Sequence, residues 1–137
     1  MKEAELSLHR YYIAANRMRV HFDEVMKEGK DNRKSHEVEA RLYMSYWYAG
    51  LFVVVEGWEE LQLEDPEIER LLKHENVELL KRFRNGVFHF QKKYDDARFM
   101  DLIQHGEDVV GWIRTLNLAF GRWFLDPSRR PKKAATA

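Results

Sequence analysis

A neutral chain of 137 residues is long enough for one domain with its own core and too short for two ordinary ones. It holds no cysteine, which excludes disulfides and thiolate metal sites and fits a reducing compartment, so the expected location is the cytoplasm. Zero net charge argues against holding nucleic acid by bulk electrostatics; the start Met1-Lys2-Glu3-Ala4-Glu5 lacks the apolar stretch of a signal peptide, and the longest uncharged run, bounded by Arg41 and Glu56, is shorter than the roughly 18 to 20 apolar residues of a membrane span.

Between residues 3 and 28, Leu8, Tyr11, Ala15, Met18, Phe22 and Val25 recur at the three-and-four spacing of one helical face, and Gly29 supplies a stop. A polar loop over 30–34 leads to Ser35 as the expected N-cap of a second helix running to about Gln62, with Glu37 and Glu39 placed to suit the helix dipole. The middle of that helix is apolar or aromatic around most of its circumference. Tyr43, Tyr46, Trp47, Tyr48 and Phe52 must therefore be covered on several sides, inside a bundle or at a subunit interface, and a homodimer is expected.

Asp65-Pro66 reads as an N-cap with proline at the first helical position, opening a short acidic helix through about His74. Asn76 can cap the next helix, whose inner face carries Val77, Leu80 and Phe83 and whose expected stop is Asn85-Gly86, a glycine that can take the left-handed conformation. Asp95 is placed to cap a helix with Phe99, Leu102 and Ile103; Gly106 interrupts it before a last helix carrying Val109, Trp112, Ile113, Leu116, Phe120 and Trp123, and Asp126-Pro127 ends the fold. No stretch alternates long enough to read as a strand. The expected fold is all-α, an up-and-down bundle of four to six helices over 1–126, followed by a basic tail over 127–137 that lacks apolar periodicity and reads as disordered.

Charge is unevenly spread. Residues 59–78 carry eight acidic and two basic side chains, whereas between 81 and 98 Lys81, Arg82, Arg84, Lys92, Lys93 and Arg98 outnumber Asp95 and Asp96. The basic segment surrounds Lys81-Arg82-Phe83-Arg84-Asn85-Gly86-Val87-Phe88-His89-Phe90, which sets an arginine, an amide and a histidine among aromatic rings. A loose arginine-then-histidine spacing means little in a chain with thirteen arginines and six histidines. Requiring asparagine directly after the arginine lowers the chance expectation from about 1.7 matches to about 0.06, and Arg84-Asn85 with His89 survives.

That pattern resembles the Arg-x4-6-His signature of the HEPN superfamily, all-helical proteins many of which are metal-independent ribonucleases. The resemblance implies a helical domain in which Arg84 and His89 are catalytic and Asn85 assists, a dimer in which two motifs face each other, no cofactor and no metal. It leaves open a toxin or defence role and does not imply a protein antitoxin. The chemistry suits phosphodiester cleavage by the RNA's own 2′-hydroxyl: an imidazole moves a proton near neutral pH while a guanidinium neutralises the phosphorane. Lys81, Arg82, Lys92 and Lys93 are the expected phosphate contacts. Some family toxins carry a modifiable tyrosine two residues after the histidine, where this chain has Gln91.

Two residues five apart on an unbroken helix are turned by about 140°, so Arg84 and His89 converge only if Gly86 breaks the helix. Other readings stand beside this one. His89, between Phe88 and Phe90, would also suit a hydrogen-bonded core position, with Arg84 a helix-end charge and the chain a non-catalytic dimerisation or nucleic-acid or ligand-binding module. No His-Glu-x-x-His sequence is present. Trp47, Trp58, Trp112 and Trp123 could stack bases but sit at helical core spacing.

Overall fold

Apolar side chains spaced by three and four close six helices among the described residues: α1 (Glu3–Glu28), α2 (Arg33–Glu60), α3 (Pro66–Leu72), α4 (Asn76–Phe88), α5 (Ala97–His105) and α6 (Val109–Leu125). The computed structural model describes residues 1–28, 33–126 and 128, with side chains described outside 33–35. The expected stop at Gly29, the start of the following loop and nearly all of the tail lie outside them. The fold is an all-helical bundle, with no strand among the described residues.

α1 and α2 form the long hairpin on which the rest is built. Leu8 lies against Gly57, Ala15 against Gly50 and His21 against Tyr43, so as one number rises the other falls and the helices run antiparallel. The close approach depends on small residues: a β-carbon at Gly50 would sit 3.1 Å from that of Ala15. The core is filled chiefly by Trp47, Leu51, Val54 and Trp58 of α2 and by Ile113, Leu116, Phe120 and Trp123 of α6. Ile68, Leu80, Phe83 and Leu102 close it from α3, α4 and α5. Each such side chain contributes roughly 1.5 to 3 kcal/mol by leaving water.

Several local expectations are corrected by longer-range contacts. On α1 the inward tyrosine is Tyr12, while Tyr11 is exposed. Asp65 caps α3 as its neighbouring proline suggests, accepting hydrogen bonds from the Glu67 and Ile68 amides at 3.1 Å. Asn76 does not cap α4, whose N-cap residue is Glu75; its buried amide instead donates to the Glu107 carbonyl at 2.7 Å and accepts from the Glu107 amide at 3.0 Å, tying α4 to the loop before α6. Asp96, not Asp95, caps α5, its Oδ1 accepting from the Arg98 amide. α2 starts before Ser35 and ends at Glu60, two residues short of Gln62, which takes a positive φ of 54°.

The aromatic middle of α2 is covered by the chain itself. Trp47, Tyr48 and Phe52 are buried, with Phe22, Phe83 and Arg84 against them. Tyr46 stays exposed and faces Phe88 of α4.

Candidate functional site

The motif occupies the last turn of α4. Leu80 and Phe83 anchor that helix in the core, Phe83 packing on Tyr48 and Phe99 with ring centres 5.7 Å apart in both pairs. Gly86 does not end it. The helix continues through Phe88, His89 is its C-cap residue with an extended backbone, and no described glycine has a positive φ. Glycine is required there for closeness: Gly86 is buried, and a β-carbon on it would lie 2.8 Å from the Phe99 ring and 3.1 Å from the Arg98 β-carbon. The break that would have turned Arg84 toward His89 is therefore absent, and no hydrogen bond or ring contact joins the two.

Arg84 is held from three sides. Phe52 and Glu56, four apart on α2, share a helical face. The Arg84 guanidinium lies over the Phe52 ring, 4.9 Å from its centre, while Nη1 and Nη2 donate to Glu56 Oε1 and Oε2, the second at 3.4 Å. Asn85 Oδ1 accepts from Arg84 Nε at 2.9 Å, so this amide orients the arginine rather than the histidine. Three of the five guanidinium N–H groups are thus engaged, leaving one on each terminal nitrogen. Glu56 is a residue that sequence reasoning missed, since only the packing of α4 on α2 brings it 28 positions back to the motif.

His89 is exposed, which removes the core reading of this residue. Its amide donates to the Asn85 carbonyl at 3.1 Å, closing the final turn, and its carbonyl accepts from Gln91 Nε2 at 2.7 Å. Gln91 Oε1 in turn accepts from Arg98 Nη1, which also donates to Asp96, so the loop after the histidine is braced against the start of α5. Of the expected phosphate contacts, Arg82 is engaged by Asp101 of α5, at 2.9 Å from Nη2. Lys81, Lys92 and Lys93 are exposed and make no ion pair with a described residue. A groove between α2 and the end of α4 is lined by Val38, Arg41, Leu42, Tyr46, Val87 and Tyr94.

A second polar cluster, also missed from sequence, lies between α1 and α6. Trp47 Nε1 donates to Asn117 Oδ1, Asn117 Nδ2 donates to Asn16 Oδ1, and Asn16 Oδ1 also accepts from Arg19. Asp23 accepts from both Arg19 and Arg114, each at 2.7 Å, and these bonds, that from Arg114 foremost, hold its carboxyl below the usual carboxylate range. The same bond raises the Arg114 pKa further. This network satisfies the buried Asn117 amide and joins the helix pair that flanks Trp47.

Among the described residues no three of His, Cys, Asp and Glu stand close enough together to hold a metal ion, and no helix is long and apolar enough to cross a membrane. Comparison of the chain with family models, curated proteins and solved structures finds no match.

Proposed function

We propose that this protein is a metal-independent endoribonuclease of the HEPN type, acting on single-stranded RNA through Arg84 and His89, with the RNA 2′-hydroxyl as nucleophile. The observation that supports the reading is the pairing of an exposed histidine at the C-cap of α4 with an arginine pre-oriented one turn earlier by Glu56, Asn85 and Phe52. An imidazole open to solvent can exchange protons with a bound substrate, and a guanidinium whose plane is already set loses less rotamer freedom on meeting phosphate. Because the intact helix turns the two groups apart, a bound phosphate must reach both around the end of the helix, the arginine through its two uncommitted N–H groups.

A second reading is favoured by the Arg84–Glu56 ion pair itself. Where that pair serves only to fasten α4 to α2, the chain is a non-catalytic binding module on a helical scaffold.

One experiment separates them. Single-stranded RNA incubated with the protein in EDTA should be cut to 2′,3′-cyclic phosphate ends, DNA should survive, and a 2′-O-methyl group at the cleaved position should block the reaction. His89→Ala should lower the rate by about 100- to 10,000-fold with helical circular dichroism unchanged. Equal cleavage by wild type and His89→Ala would assign the activity to a contaminant and leave the binding module.

A further inference from the structure

The exposed aromatic rings of this protein are not scattered. Among the described residues they are Tyr11, Tyr46, Phe88, Phe90 and Tyr94, and all but Tyr11 lie at the end of α4, on the loop that follows it, or on the adjoining face of α2. The four tryptophans are all buried, so none can stack a base without unfolding the core. Phe90, next to His89, is 90% exposed, and Tyr94 is 78% exposed. Leaving a phenyl ring in water forgoes roughly 1.5 to 3 kcal/mol that burial would contribute. Three exposed rings, Phe88 at the end of α4 and Phe90 and Tyr94 on the loop after it, thus fall within seven residues.

The loop that carries Phe90 and Tyr94 is braced by side-chain hydrogen bonds. Gln91 bonds the His89 carbonyl and is gripped by Arg98, and Arg98 is gripped by Asp96. Tyr94 is held by Arg41, which donates to its hydroxyl at 2.8 Å with the guanidinium 5.7 Å from the ring centre. Phe88 leans on Tyr46 at 6.2 Å. Cations alternate with the rings: Lys92 and Lys93 lie between Phe90 and Tyr94, and neither they nor Arg41 make an ion pair with a described residue.

We propose that this surface is a stacking platform for unpaired RNA bases, in which Phe90 carries one base, Tyr94 or the Phe88–Tyr46 pair carries a neighbour, and Lys92, Lys93 and Arg41 hold the intervening phosphates. The inference rests on the RNA reading above and adds how a single strand is held: by stacking, with little base preference, because every base has a stacking face. A duplex hides those faces. Interleaved lysines also argue against a second protein surface here, since protein interfaces deplete lysine from their cores while single-strand grooves use it.

The test uses a 5′-labelled twelve-nucleotide oligouridylate bearing 2′-O-methyl groups throughout, so that anisotropy reads binding without cleavage. Phe90→Ala should weaken binding by roughly 5- to 150-fold, Phe90→Trp should keep it, and a duplex of the same length should bind more weakly and ignore the substitution. Equal binding by wild type and Phe90→Ala would overturn the proposal, as would a duplex that binds as tightly as the single strand. Sedimentation of the same variant adds a further arm: a dimer that dissociates on Phe90→Ala while oligouridylate affinity holds would assign the rings to a second copy of the chain. Cleavage that fails the His89→Ala test while Phe90-dependent binding persists would remove the nuclease reading alone.

Discussion

Arg84 shows how one side chain's role is set by residues far along the chain. Seen from its neighbours it is a cation in the last turn of a helix, a position that ordinarily serves the helix dipole. Seen in the fold it is a fixed fork, because Phe52 sets the plane and Glu56 the angle. Asp23 is the clearest titrating case. Its carboxyl is held below the usual carboxylate range by hydrogen bonds from Arg114 and Arg19, so the folded state keeps it ionised at pH values where the unfolded chain takes up a proton. The sign follows: the stabilisation is fully present above the unfolded carboxylate range and is lost as pH falls through the lower folded value. Thermal unfolding of wild type should therefore lose ground below about pH 4, the usual aspartate range. Asp23→Asn should be less stable at pH 7 and should lose less on acidification, a comparison that circular dichroism melts at pH 7, 4 and 3 can make.

At the scale of elements, α4 shows propensity and packing opposed at one position. Glycine inside a helix costs about 1 kcal/mol relative to alanine, so helix propensity alone says that Gly86→Ala should stabilise the protein. Packing says the reverse. The added carbon would press on the Phe99 ring, itself set against Phe83, and on the Arg98 β-carbon, and overpacking of a tight contact costs about 1 to 3 kcal/mol. The steric effect is the larger, so Gly86→Ala should lower the denaturant midpoint. A rise in midpoint would show that the α4–α5 contact yields more easily than its spacing implies. The other helix ends divide along the same line. Asp65-Pro66 is a local signal and caps as read, because both partners lie within three residues. Asn76 was equally plausible as a cap, yet the loop at Glu107 takes its amide.

For the whole molecule, net neutrality and local basicity predict different salt behaviour. If RNA is held by the basic end of α4 and its loop, affinity should fall steeply with salt, because each phosphate neutralised on a single strand contributes about −0.7 to the slope of log affinity against log salt. Replacing Lys92 and Lys93 together by alanine should make that slope shallower by roughly 1.4. An unchanged slope would mean that these lysines face solvent only. The dimer implied by the HEPN resemblance is a separate expectation. The aromatic surface of α2 that first suggested it is largely buried by α1, α4 and α6 within one chain, so the need for cover no longer argues for a second copy.

Helical class, the order of the elements, the inward positions of α6 and the cap at Asp65 were all determined by the sequence alone, for a common reason: periodicity and capping act between residues three or four apart. The motif at Arg84, Asn85 and His89 was legible in the same way, as a spacing. Its geometry was not. Gly86 lies inside α4, where Phe99 leaves no room for a β-carbon, and the partner of Arg84 depended on α2 packing against α4. Tyr12 rather than Tyr11 turns inward because Gly121 on α6 leaves room for its ring. The polar ring joining Asn16 to Asn117 spans 101 positions, and Glu56 and Arg84 are 28 apart. Such pairs leave no periodic trace, since each residue alone reads as an ordinary polar side chain; tertiary packing decided them by bringing donors and acceptors from distant parts of the chain within bonding distance.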